Sequence, residues 1–65
     1  MYRTLRGEMV KAGVSISNLA KQLGISEKTL RNKISGRTEF LLSEAVSIHK
    51  TIAPRLSMDD LFQKD

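Results

Sequence analysis

Sixty-five residues without a single cysteine make one small domain, with no disulfide or thiolate metal site to staple it. Eleven Lys and Arg stand against seven Asp and Glu, a net charge of +4 with a pI near 9.9. No apolar run approaches the roughly 18 residues of a membrane span and no apolar leader opens the chain, so membrane and secreted classes are set aside and a cytoplasmic location is expected.

The apolar spacing predicts an all-α chain. A first helix is expected over 2–12, where Tyr2, Leu5, Met9 and Ala12 recur three and four residues apart and Gly13 supplies the stop. Gly7 falls inside it, at a cost of about 1 kcal/mol relative to alanine, and marks either a close packing contact or a tolerated weakness. A second helix follows the cap Ser15, with Ile16, Leu19, Ala20 and Leu23 on its buried face and Gly24 at its end. A third follows the cap Ser26 and runs to Ile34 or Ser35, closed by Gly36. Residues 37–41 connect to a fourth helix over 42–52, with Leu42, Ala45, Val46, Ile48 and Ile52 apolar and Pro54 as its stop. Phe40, Leu41 and Leu42, at the start of that helix, are read as core, with an interface as the alternative. Ser57 caps a last short helix over 58–63, with Asp59 and Asp60 in its first turn and Leu61 and Phe62 packing back on the core. No segment alternates long enough for a strand.

The charge is not evenly spread. Residues 1–38 hold eight cations against Glu8 and Glu27, a balance of +6, whereas residues 39–65 balance at −2. A basic excess confined to one half is the footprint of a polyanion binder. The three aromatic residues are too few for a platform that stacks single-stranded bases.

Gly24-Ile25-Ser26 is the most informative stretch. Two helices meeting at a steep angle need a residue that leaves helical geometry cheaply, then an apolar plug, then an N-cap, and these three supply them in order. Ala20, four residues before the glycine, leaves room for close helix approach, and Leu23, Ile25 and Leu30 fill the angle. With Leu30 set to the core, Ile34 and Ser26 lie about 40° to either side, and Lys28, Arg31, Asn32 and Ser35 fall about 100–200° away. Glu27 sits at the exposed start. Lys and Arg donate to guanine O6 and N7, Asn pairs with adenine N6 and N7, and Glu accepts from cytosine N4. A merely solvated helix face would carry similar groups; the glycine turn and the basic half favour a helix-turn-helix DNA reader.

Residues 5–62 resemble the lambda-repressor/Cro type (XRE-like) of helix-turn-helix domain, a compact five-helix all-α fold common among phage and bacterial regulators. The resemblance rests on Ser15, Leu19-Ala20, Leu23-Gly24-Ile25-Ser26, Thr29-Leu30, Gly36 and Leu61-Phe62. The stretch Leu30-Arg31-Asn32-Lys33-Ile34-Ser35-Gly36, with Phe40 and Glu44, is similar to a phage-associated branch. It implies that Glu27, Lys28, Arg31 and Asn32 read bases in the major groove. It also implies that Ser15, the loop Ser35-Gly36-Arg37-Thr38 and the helix start at Ser26 hold phosphates, helped by backbone N–H groups.

Two positions depart from the family pattern. Where many members join the first and third helices by an ion pair, Met9 and Ile34 form an apolar pair, and Lys33 stands where a core aliphatic is usual, so it is expected to snorkel to the surface. Leu41 replaces the usual Ser or Thr cap of the fourth helix, which leaves that start less ordered or turned toward a partner subunit.

The expected activity is that of a sequence-specific, double-stranded DNA-binding transcriptional regulator of the Cro or repressor kind. One such motif covers about half a site, so a homodimer, at least on DNA, is expected on a palindromic operator. The alternative is a helix-turn-helix scaffold serving as a protein interaction module, antitoxin-like or antirepressor-like, with little salt-dependent DNA affinity. No set of groups suggests an enzyme, a cofactor or a small-molecule ligand. His49, the single histidine, has no ligand-forming neighbours in sequence, and no metal is expected.

Overall fold

Serine and glycine punctuation decides where the helices begin and end. In a computed structural model, which describes residues 1–64, five helices follow in order: α1 Arg3–Ala12, α2 Ile16–Leu23, α3 Glu27–Ser35, α4 Leu42–Ile52 and α5 Met58–Leu61. The side chains of Ser15, Ser26 and Ser57 accept the N–H of Asn18, Thr29 and Asp60, three residues on, at 3.0–3.1 Å. Each bond satisfies one of the donors that a helix start leaves open. The last helix is shorter than the expected 58–63 and stops at Leu61.

Gly24 ends α2 with φ +72°, the left-handed geometry that a side chain disfavours. Its N–H bonds to the Lys21 carbonyl at 3.2 Å and that of Ile25 to the Ala20 carbonyl at 3.0 Å. This paired closure turns Ile25 back onto the helix it has just left. Gly36 ends α3 the same way, with the N–H groups of Gly36 and Arg37 bound to Lys33 and Asn32.

The core gathers one stripe from each helix. Leu5, Leu19, Leu30, Ile48 and Leu61 are fully enclosed, joined by Tyr2, Met9, Ala20, Ile34, Ile52 and Ala53. Met9 and Ile34, the apolar replacement for an ion pair, both lie in it. Ala12 does not: it is exposed at the C-terminal end of α1. α4 is the central strut, packing against α1, α2 and α5, while α3 leans chiefly on α2. Gln22 adds a polar link from α2 to α4, donating to Thr51 Oγ1 at 2.6 Å. The scarce aromatics are spent on the interior. Tyr2, Phe40 and Phe62 meet edge to face with centroids 5.4–5.9 Å apart, a geometry that adds about 0.5–1.5 kcal/mol per pair beyond burial.

The start of α4 divides the expected Phe40-Leu41-Leu42 cluster. Phe40 packs on the core, but Leu41 and Leu42 are exposed, and Val46 with them. The buried face of α4 is centred on Ala45, Ile48 and Ile52, from which Leu42 and Val46 lie about 90° and 130° round the helix.

Two ion pairs tie helices together. Glu8 on α1 is buried and accepts from Arg55 after α4 and, at 3.2 Å, from Lys11. Lys33 is buried rather than snorkelling: its ammonium donates to Glu44 Oε1 at 2.8 Å and to the Glu39 carbonyl at 3.2 Å. Position 33 faces inward, and a buried ammonium needs an anion, which α4 supplies. The same Glu44 carboxylate accepts the Leu41 N–H at 2.9 Å. So α4 is capped from its first turn, by Glu44, and not by the side chain of residue 41.

Gly7 is a weakness and not a packing contact. It is exposed, and a Cβ built there would meet nothing within 4 Å. Gly7→Ala is expected to stabilise the domain by about 0.5–1 kcal/mol, and to raise the thermal midpoint by about 4–8 °C per kcal/mol. Circular dichroism melting checks this; an unchanged or lower midpoint refutes it.

Candidate nucleic-acid interface

α3 presents its polar side as a consequence of where Leu30, Lys33 and Ile34 are buried. Glu27, Lys28, Arg31 and Ser35 are exposed, as the helical spacing predicts, and Asn32 is half-buried. Arg31 does not project alone. One of its guanidinium nitrogens donates to Glu27 Oε1 at 3.1 Å, one turn back. Both ends of this pair are well exposed, so it is worth a few tenths of a kcal/mol and opens readily. No protein group binds the Asn32 side-chain amide among the described residues, although its main-chain carbonyl takes the N–H groups of Arg37 and, at 3.4 Å, Thr38.

The hydroxyls assigned to phosphates are not equally free. Ser15 Oγ only accepts, from Asn18, and keeps its proton for a ligand. Ser26 Oγ accepts from Thr29 N–H and donates to Thr29 Oγ1 at 2.8 Å, so its side chain is committed to the cap. Ser35 Oγ donates back to the Asn32 carbonyl at 3.0 Å. In the loop after α3, the N–H groups of Gly36, Arg37 and Thr38 all turn into the helix end. What the loop offers outward is the exposed side chains of Arg37 and Thr38.

The ion pairs sort the cations. Lys11, Arg31, Lys33, Arg55 and Lys64 are matched with carboxylates. Among the described residues, Arg6, Lys21, Lys28, Arg37 and Lys50 have no such match, and four of these five belong to residues 1–38. Unmatched charge therefore accumulates on the half that holds α2 and α3. Sequence reading passed over one of them: Arg6, on α1, lines a groove of about 260 Å³ together with Arg31 and Ser35. Nothing in the one-dimensional pattern distinguishes it from an ordinary solvated cation.

No group of His, Cys, Asp or Glu among the described residues is arranged to hold a metal ion. His49 instead makes a structural bond, its Nε2 to the Leu56 carbonyl. A carbonyl oxygen only accepts, so Nε2 carries the proton there. Among the described residues, no helix is long and apolar enough to cross a membrane. The arrangement defines a five-helix, all-α domain with a glycine-turned helix pair. No protein-family model, curated protein or solved structure matches the chain.

Proposed function

We propose that this protein binds double-stranded DNA sequence-specifically as a transcriptional regulator of the Cro or repressor kind, with α3 in the major groove. The observation that carries the reading is the pairing of the glycine turn at Gly24 with an outward α3 face that holds Lys28, Arg31 and Asn32 and no large apolar group. In this reading Glu27, Lys28, Arg31 and Asn32 meet base edges. Ser15, Arg37 and Thr38 meet phosphates with their side chains, Ser26 through the backbone N–H groups of its helix start, and Ser35 on rotation of its hydroxyl. Fluorescence titration of a mixed-sequence duplex at two salt concentrations tests it. Affinity is expected to fall steeply as salt rises, because each neutralised phosphate releases counterions. Salt-independent or absent binding would favour the interaction-module alternative instead.

One motif reads half a site, so the active form is a pair on a two-fold operator with half-sites about 34–36 Å apart. Leu41, Leu42 and Val46 support a pairing surface on α4, since they leave an apolar patch uncovered beside the loop that leads from α3. Leu42→Lys is expected to leave the fold intact and to abolish cooperative occupancy of a two-half-site duplex. Sedimentation with and without DNA measures it, and unchanged cooperativity places the pairing surface elsewhere.

A further inference from the structure

Arg6 belongs to α1, outside the helix pair that carries the proposed reading, yet it lies between the start of α2 and the end of α3. It lines the groove shared with Arg31 and Ser35 near the end of α3, and an adjoining one of about 220 Å³ shared with Ser15 and Ile16 at the start of α2. Among the described residues, no carboxylate lines either groove. Ile16, half-buried, lines both grooves, and its side chain offers no competing hydrogen bond. Arg6 is exposed and its guanidinium has no protein partner among the described residues. A free guanidinium beside the Arg31 guanidinium and two serine hydroxyls suits an oxyanion held bidentately, and under the DNA-binding reading that oxyanion is a backbone phosphodiester.

We propose that Arg6 seats a DNA backbone phosphate between the phosphate contacts at Ser15 and Ser35, so that α1 and the helix pair grip one strand as a continuous track. The inference rests on the DNA-binding reading and extends the site to a helix that reading left structural. The seat is sequence-independent: it sets register on the duplex and strengthens binding to any sequence alike.

The test uses the full chain, a short mixed-sequence duplex as the probe, and a salt series. Arg6→Gln is expected to weaken binding about 5- to 10-fold and to lower the slope of log affinity against log salt by about one. Its melting temperature stays at the wild-type value, because the side chain holds nothing in the protein. Arg6→Lys keeps most of the slope while losing part of the affinity. Lys50→Gln removes an equally unmatched charge from α4 and serves as the control, changing affinity less than about twofold if contact and not net charge is what matters. Wild-type affinity and slope in Arg6→Gln, or equal effects of Arg6→Gln and Lys50→Gln, overturn the seat and leave the DNA reading standing. Absence of salt-dependent binding by the wild type overturns both.

Discussion

Glu44→Ala is expected to cost the domain about 3 kcal/mol, most of what a core of this size supplies. The alanine leaves the Lys33 ammonium buried without an anion and opens the Leu41 N–H at the start of α4. Loss of helical circular dichroism in urea, at a far lower midpoint than wild type, checks it. Glu44→Gln falls between, because an amide oxygen still accepts both bonds but carries no charge. The double change Lys33→Met with Glu44→Leu is expected to recover much of the loss, since a well-packed apolar pair commonly matches a buried ionic one.

The same pair gives the fold an acid limit. Burial pushes the Glu44 carboxyl up, but the Lys33 ammonium and the Leu41 N–H outweigh it and hold the group below its ordinary 4.5. Glu8 moves the same way, held down first by Arg55. A carboxyl with a lower pKa in the folded chain than in the unfolded one contributes stability that is complete above about pH 4.5 and drains as pH falls through the folded value. Wild type is therefore expected to lose stability in acid, and Glu44→Gln to lose it less steeply. Parallel pH profiles for the two would remove Glu44 as the source.

The largest functional effects are expected at Arg31 and Asn32. If they read bases, Arg31→Ala and Asn32→Ala each remove about 1–3 kcal/mol of discrimination between a selected duplex and a random one. Arg37→Ala instead weakens both duplexes alike and flattens the salt dependence. Selection from a randomised duplex library supplies the preferred site, and paired titrations give the ratio. Equal losses on selected and random DNA for all three variants would end the division into readers and phosphate contacts. Glu27→Ala adds a diagnostic, because it releases Arg31 from its intrahelical partner. Affinity for random duplex rises, as a negative charge leaves the interface.

Local chemistry made most of the fold readable. Each Ser-to-Gly interval from Ser15 to Gly36 announces a helix with its own cap and stop, and Pro54 does the same for the end of α4. Such signals act within about four residues, which is why they survive in one dimension. Lys33 was not readable in that way. Its partner lies 11 positions on, across a loop, and its inward orientation became a charge pair only because α4 brings Glu44 alongside. The Glu8–Arg55 pair spans 47 positions and leaves no periodic trace. Leu42 and Val46 failed for another reason: apolar residues spread over about 160° of α4, and spacing alone does not say which edge meets α1 and α2. The polar face of α3 was legible through its period, while the crossing of α1 that puts Arg6 and Arg31 on one groove exists only in three dimensions.

The meeting of Tyr2, Phe40 and Phe62 joins the second residue of the chain to the sixty-second. During synthesis this means that α1 emerges from the ribosome long before its packing partners do. Tyr2 must wait, exposed, for both phenylalanines, and Leu5 for Leu61. A nascent chain halted before Leu61 holds all of α3 but lacks one of the residues that enclose the core. Closure of the core is thus tied to the arrival of α5, and a chain truncated before it is exposed to proteolysis.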